Sequence, residues 1–236
     1  MRVAIAIALF PLLGCRLAAP TPMTSLRFGH EHAKCLVVLL PGRGDSADTF
    51  RQRGFVEALL QSGADVEVIS AEATLGYYLA GTLSERLEAD VIAPARRDRK
   101  IWLVGVSMGG LGVFDFSRRH EGQVEGVIAL APFLGPASLS EEIDTAGGLR
   151  AWKSTASGGD DYRELWAWLR DAAVRGNPEL YLGYGEADRL AAQDRVLGDA
   201  LTPEHVSRAP GGHEWRVWAV LFNELLAKSR LPSRCH

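Results

Sequence analysis

Short apolar segments alternate along the chain with longer segments in which apolar residues recur at helical spacing. Most of the short segments are uncharged runs, which are typical of strands buried on both faces of a parallel sheet. Strands are predicted at Leu36–Leu40, Val66–Ile69, Ile101–Val106, Val127–Leu130, Leu180–Tyr184 and His205–Arg208. Helices are predicted between them, among them Thr82 to about Val91 (ended by Pro94), Gly110–His120, Asp160–Val174, Leu190–Leu201 and Trp215–Ala227. This alternation predicts an α/β fold, with a mostly parallel sheet of about six strands and helices on both faces.

The N-terminus follows a different pattern. Met1-Arg2 is a short positive region, and Val3–Leu13 is an apolar stretch too short to cross a bilayer but typical of a secretion signal. It ends in Leu12-Leu13-Gly14-Cys15, which resembles the lipobox of bacterial lipoproteins and implies acylation of Cys15. We therefore expect a signal peptide over residues 1–14, a tether over 15–25 and a folded domain over 26–236. The expected location is a bacterial cell envelope, lipid-anchored to a membrane, with a soluble periplasmic or secreted protein as the alternative.

Composition narrows the class of protein. The chain has 236 residues, 47% of them hydrophobic and 23% charged, which suits one globular domain. Its net charge of −3 gives no reason to expect a nucleic-acid partner. Cys35 and Cys235 could pair in an oxidising compartment, or Cys35 could be a buried thiol. No Cys or His cluster has the spacing of metal ligands, and nothing in the sequence determines the oligomeric state.

A candidate nucleophile lies where the third predicted strand meets its helix. Gly105-Val106-Ser107-Met108-Gly109 matches the G-x-S-x-G pattern of a nucleophile elbow. Such a serine sits on a strained strand-to-helix turn, so the residues that flank it must lack bulk. The pattern predicts that the Ser107 hydroxyl stands at the carboxyl edge of the sheet.

A serine hydroxyl needs a base, and His213 is the candidate among six histidines. It lies in the loop that follows the last predicted strand, at the same edge of the sheet as Ser107. The acid that orients it should follow the preceding strand, where Asp188 and Glu186 are both available. Asp188 is preferred, although it could instead cap the next helix. The order Ser107, Asp188, His213 is the one expected of an α/β-hydrolase.

Across about residues 35–228 the chain resembles the α/β-hydrolase superfamily, and within it the small carboxylesterase and lysophospholipase group. The matching segments are Leu40–Asp45, Gly105–Gly110, Gly185–Asp188 and Gly212–Trp215. The resemblance implies hydrolysis of a small-molecule ester or thioester through an acyl-enzyme, without a cofactor. Alternatives that keep the triad are a lysophospholipase, an acyltransferase or a peptidase, and a non-catalytic binding protein is a further one.

The oxyanion hole is predicted from the same geometry. One donor is the backbone N–H of Met108, and the second comes from the loop after the first strand, where Arg43 matches the family position best and Gly42 is second. Pro41 stands where many members of the superfamily have histidine, and it has no N–H to donate. The Arg43 side chain could also meet an anionic substrate, although a solvated loop arginine is the simpler interpretation.

The strand-helix alternation is interrupted between Ala131 and Asn177. The insert, about residues 133–177, occupies the place where relatives carry a cap over the active site. Trp152 and Trp166 are candidates to line an acyl pocket there, whereas Trp168 is expected to pack its helix on the core. Tyr77 and Tyr78 are weaker candidates for the same pocket.

Overall fold

The computed structural model describes residues 18–155 and 161–236. In this part of the chain seven strands form one sheet in the order β1-β3-β2-β4-β5-β6-β7. The strands are β1 (Ser25–Gly29), β2 (Cys35–Leu40), β3 (Val66–Ala71), β4 (Lys100–Val106), β5 (Gly126–Leu130), β6 (Glu179–Gly185) and β7 (Val206–Ala209). Only β1 is antiparallel to its neighbour, and the other described pairs are parallel. The predicted α/β class with a mostly parallel sheet is confirmed.

The seventh strand is β1, which the hydrophobic pattern did not predict. It pairs with β3 in the register Ser25 to Ala71, and it begins at the last residue of the predicted tether. As an edge strand it is largely exposed, so its sequence lacks the continuous apolar run of the inner strands. The described end of the predicted tether also packs on the domain, since Met23 is buried and its N–H donates to Asp90 at 2.8 Å.

Helices follow most strands. The α-helices are α1 (Thr49–Gln52), α2 (Phe55–Gln61), α3 (Leu75–Leu79), α4 (Leu83–Leu87), α5 (Ala93–Arg96), α6 (Met108–Arg119), α7 (Ala137–Thr145), α8 (Asp161–Arg175), α9 (Ala191–Gly198), α10 (Trp215–Lys228) and α11 (Leu231–Arg234). Among the described elements, α6 packs on β2, β4 and β5, and α10 packs on β5, β6 and β7. In the residues that the structure describes, no helix is long and apolar enough to span a membrane.

Several predicted elements differ from the structure in their boundaries, and two of these differences involve Pro94 and His205. The helix expected to end before Pro94 continues through it, because a π-helical turn at Glu88–Ile92 links α4 to α5 and leaves Pro94 in the first turn of α5. The regular i→i+4 hydrogen-bond pattern is interrupted at this π-helical turn, just before the proline that has no N–H to donate. His205 belongs to a 3₁₀ turn, Pro203–His205, and the last strand begins one residue later than expected.

The core lies around the inner strands. Every residue of β2, β3, β5 and β6 is buried, as is every residue of β4 after Lys100. Cys35 at the start of β2 and Cys235 near the C-terminus form a disulfide bond between residues 200 positions apart. Of the two interpretations of Cys35, the structure supports the disulfide.

Candidate active site

Ser107 occupies the turn between β4 and α6. Its backbone has φ 54° and ψ −115°, a region that residues with side chains rarely adopt. Surrounding hydrogen bonds hold this conformation: the Ser107 N–H donates to the Leu130 carbonyl at 2.8 Å, and its own carbonyl accepts from the Phe133 N–H at 3.0 Å. Backbone strain that neighbouring structure maintains is common at functional sites.

The glycines that flank Ser107 are required by close packing. A Cβ on Gly105 would lie 2.3 Å from the Gly109 carbonyl oxygen, and one on Gly109 would lie 2.0 Å from the Leu40 carbonyl oxygen. Backbone atoms cannot move aside as a flexible side chain would. The small residues of the G-x-S-x-G pattern are therefore a steric condition for the turn.

His213 and Asp188 complete a chain of hydrogen bonds with Ser107. His213 Nε2 lies 2.9 Å from Ser107 Oγ, and Nδ1 lies 2.9 and 2.8 Å from the two Asp188 carboxylate oxygens. Every proton has a partner when the serine hydroxyl donates to Nε2 and the Nδ1–H donates to Asp188. The structure thus brings together the three residues that the sequence placed after three different strands.

Two loops approach each other closely to position the imidazole. A Cβ on Gly185 would lie 2.4 Å from the Gly211 carbonyl oxygen, and Gly211 itself has φ 118°. The His213 ring also packs edge-on against Trp218 of α10, with ring centroids 4.7 Å apart. Its side chain is 16% exposed and that of Asp188 is fully covered, so the pair is largely screened from water.

The Asp188 carboxylate has two partners. Besides His213, it accepts from the Leu190 N–H at 2.8 Å, just ahead of α9. This i, i+2 contact closes a turn ahead of the helix, whose N-cap residue is Leu190, so the structure places Asp188 in the orienting position and not at the helix cap. Glu186 is exposed, and the carboxylate within ion-pair distance of His213 among the described residues is Asp188.

The predicted oxyanion donors lie beside the nucleophile. Met108 is the first residue of α6, where a backbone N–H has no intrahelical partner. On the loop after β2, a Cβ on Gly42 would lie 3.6 Å from Ser107 Cβ, and Arg43 lines the same cavity as Ser107 and Met108. Both loop residues are thus placed at the site, and the assignment of the second donor stays a prediction.

A cavity of about 470 Å³ opens beside Ser107. Residues of α6 line it at helical spacing: Met108, Leu111, Gly112, Asp115 and Arg119. Met108 and Arg119 are eleven positions apart, a rise of roughly 16 Å, so the cavity is a groove along α6. Its other walls come from α3 and α4, from Phe133, and from Tyr162 and Leu165 of α8.

Trp152 and Trp166, the predicted pocket residues, do not line this groove. Trp166 is 0% exposed and its Nε1–H donates to the Leu134 carbonyl at 3.0 Å, while Trp152 is 2% exposed and donates to Glu142 at 2.9 Å. The prediction is corrected because both indoles pack inside the insert, with their N–H groups satisfied there. Instead the insert contributes Tyr162 and Leu165, and their i, i+3 spacing on α8 was the signal that could have identified them.

Tyr77 and Tyr78, the weaker candidates, both line the groove. The Tyr77 hydroxyl donates to the Pro20 carbonyl at 2.5 Å. The Tyr78 hydroxyl is buried without a hydrogen-bond partner among the described residues, and burial raises its pKa. That hydroxyl lies beside α6, 2.7 Å from where a Cβ on Gly112 would stand.

Asp194 on α9 is a second buried acid near the site. It is fully buried, and neither carboxylate oxygen has a hydrogen-bond partner in the described chain. Burial raises the pKa of Asp194 well above its ordinary value, and the nearby charge of Asp188 raises it further. Among the described residues, no group of three or more His, Cys, Asp or Glu side chains is arranged to hold a metal ion.

Comparison with known proteins identifies solved structures with a similar fold. No protein-family model and no curated protein matches the chain. Among solved structures, S-formylglutathione hydrolase of Staphylococcus aureus is 15% identical with a TM-score of 0.58, covering 87% of this chain and 94% of its own. Est1E from Butyrivibrio proteoclasticus is 16% identical with a TM-score of 0.59, covering 86% and 91%. Monoacylglycerol lipase of Paleococcus ferrophilus is 17% identical with a TM-score of 0.54, covering 88% and 99%.

The chain has the α/β-hydrolase fold. Within this α/β-hydrolase fold, Ser107 follows β4, Asp188 follows β6 and His213 follows β7, all at the carboxyl edge where such sheets bind ligands. A hydroxyl, an imidazole and a carboxylate joined by hydrogen bonds can pass a proton from the first to the second while the third stabilises the cation.

Proposed function

We propose that this protein is a serine hydrolase of carboxylic esters or thioesters. The observation that carries the proposal is the hydrogen-bonded line from Ser107 Oγ through His213 to Asp188. A binding protein does not need an activated serine. In such a protein the strained backbone of Ser107, with φ 54°, would lower stability without contributing to function. The S-formylglutathione hydrolase and the monoacylglycerol lipase among the similar structures support the same class of reaction.

The proposed reaction has two halves. Ser107 Oγ attacks the ester carbonyl as its proton passes to His213 Nε2, and a tetrahedral oxyanion forms. The bond to the alkoxide or thiolate then breaks as His213 returns the proton to the leaving group, which leaves an acyl-serine. Water attacks this acyl group with His213 again as base, releasing the carboxylic acid and the free hydroxyl. Asp188 holds the imidazole in the required tautomer and stabilises its charged form.

The oxyanion in both halves is proposed to accept from the Met108 N–H and from a loop N–H, with Arg43 preferred over Gly42. Preorganised donors of this kind are worth about 3 kcal/mol each in the barrier. The position of Met108 at the first turn of α6 supports its part, because the helix dipole also favours negative charge there.

The groove along α6 is proposed to hold the acyl chain. An extended chain advances about 3.4 Å for every three bonds, so a groove of roughly 16 Å accommodates a chain of about fourteen bonds. Leu75, Leu79, Leu111 and Leu165 supply apolar walls for it. We therefore expect catalytic efficiency to rise with acyl length and to level off near that size.

A fluorophosphonate probe and a series of para-nitrophenyl esters test the proposal. We expect the wild type to be labelled and to hydrolyse the esters, and Ser107→Ala to do neither. Ser233→Ala, at an exposed serine near the C-terminus, is the matched control and should behave as wild type. Folded wild type that is neither labelled nor active would leave the non-catalytic binding protein as the better interpretation.

Export and anchoring are a separate proposal. The signal peptide and Cys15 lie outside the described residues, and support comes from the Cys35–Cys235 bond, which is typical of oxidising compartments. The mass of the mature protein, compared with that of Cys15→Ala, tests acylation. An unmodified Cys15 in membrane-processed protein would refute it.

A further inference from the structure

Two arginines of the groove carry charges that the described residues do not neutralise. Arg43 and Arg189 both line the cavity that contains Ser107, and both are exposed. No described acid lies within ion-pair distance of either guanidinium, and neither makes a hydrogen bond through its side chain within the described chain. Most of the other described arginines form ion pairs, so two without one in a single cavity are an exception.

Several acids around the groove are held by partners other than these two arginines. Asp188 is bonded to His213, and Asp45 accepts from the Trp215 Nε1–H at 3.4 Å. At the far end of the groove, Asp115 pairs with Arg118 and Arg119 at 2.9 and 2.8 Å. Within the described chain, neither Arg43 nor Arg189 shares an ion pair with any of these carboxylates.

Chain position places the backbone of both arginines next to residues of the catalytic site. Arg43 follows Gly42, whose Cβ position lies 3.6 Å from Ser107 Cβ, and Arg189 follows Asp188, the acid bonded to His213. The two residues approach from different loops, one after β2 and one after β6. Guanidinium groups bind carboxylates and phosphates through paired N–H donors. A neutral hydroxyl or amide group on a substrate lacks the negative charge that strengthens these hydrogen bonds.

We propose that Arg43 and Arg189 form an anion subsite, so that the preferred substrates are esters with a carboxylate or phosphate group close to the scissile bond. This inference rests on the proposed esterase function and specifies its substrate class. The anion meets the arginines near Ser107 while the apolar chain follows α6. Attraction by the same charges also steers anionic substrates toward the mouth, an effect that salt screens.

Matched ester pairs test the subsite. On the leaving-group side the pair is para-butanoyloxybenzoate and para-butanoyloxybenzamide, and on the acyl side it is the para-nitrophenyl monoester of adipate with its methyl-capped form. We expect kcat/KM to favour the anionic member of at least one pair by about tenfold after correction for leaving-group reactivity, and inorganic phosphate to inhibit competitively. The preference should fall as ionic strength rises.

Variants assign the preference to the two arginines. We expect the anionic-to-neutral ratio to fall about fivefold in Arg189→Ala and in Arg43→Ala, and to be largely kept in Arg189→Lys. Arg195→Ala is the matched control, because Arg195 is exposed on α9 and does not line the groove. Its ratio should equal that of wild type.

The possible outcomes distinguish failure of the anion subsite from failure of the proposed esterase function. If neutral esters are hydrolysed and Ser107 is labelled, but neither pair shows an anionic preference or the ratio is the same in all variants, the subsite is refuted and the esterase stands. If no ester is hydrolysed and Ser107 is not labelled, both proposals fall.

Discussion

The buried carboxyl of Asp194 makes the stability of this protein depend on pH in a definite direction. The side chain is fully buried without a hydrogen-bond partner in the described chain, and burial raises its pKa well above the ordinary 3.8. Below pH 3.8 the carboxyl is protonated in both the folded and the unfolded chain. Above it, the unfolded chain releases a proton that the folded chain retains, so folding loses free energy as pH rises toward the folded-state pKa.

The replacement Asp194→Asn removes this titration while keeping the shape of the side chain. One proton held only by the folded state corresponds to about 1.4 kcal/mol per pH unit. The free energy of unfolding of the variant, minus that of wild type, should therefore rise by about that amount for each unit above pH 4. The rise should stop at the folded-state pKa of Asp194. The free-energy cost of burying the uncharged amide does not depend on pH, so it does not affect the slope of this difference against pH.

Urea unfolding at a series of pH values measures this slope. Asp199→Asn is the matched control, since the Asp199 side chain is 70% exposed just beyond the end of the same helix, and its difference from wild type should stay nearly flat. Fluorophosphonate labelling of the Asp194→Asn protein verifies that the site around Ser107 is intact. A difference for Asp194→Asn that does not change between pH 4 and pH 8 would refute the reasoning.

Three further predictions concern the disulfide, the triad and the groove. Closing a loop of 200 residues stabilises the folded state by about 5 kcal/mol in the chain-entropy model. In the absence of reductant, the double variant Cys35→Ala/Cys235→Ala should therefore unfold at a lower urea concentration than wild type. Equal unfolding midpoints would contradict this prediction. Asp188→Asn should keep the fold by circular dichroism but lower kcat by about three to four orders of magnitude in ester hydrolysis, and a loss below tenfold would remove Asp188 from the triad. Leu111→Trp, which fills the groove, should lower kcat/KM for decanoyl esters well below its value for acetyl esters, whereas an equal loss for both would mean that the chain lies elsewhere.

Much of the fold could be predicted because inner strands bury both faces. Val127–Leu130 and Leu36–Leu40 are apolar without interruption, and each coincides with a strand to within one residue. β1 could not be found in this way, since an edge strand needs no continuous apolar run. The positions of Ser107 and His213 could be predicted for a related reason, because parallel strands bring the loops at their carboxyl ends to one edge.

Other features depend on distances that no local pattern contains. The pairing of Cys35 with Cys235 requires the C-terminus to return to the start of β2. On α8, a tryptophan and a tyrosine are equally suited to line a pocket, and the rotation of the helix about its axis decides which one does. In the structure Trp166 is buried, whereas Tyr162 lines the groove. The proposed anion subsite likewise depends on which arginines have acidic neighbours in the folded chain.

The bond between Cys35 and Cys235 makes a covalent ring of nearly all of the folded chain, and Ser107, Asp188 and His213 all belong to it. A protease that cuts one peptide bond within the ring, for instance at the exposed turn containing Gly147, would therefore release no fragment. The two pieces would remain one molecule of unchanged mass apart from the water added. Under denaturing conditions, a reducing agent would still be needed to separate the piece that carries the nucleophile from the piece that carries its base.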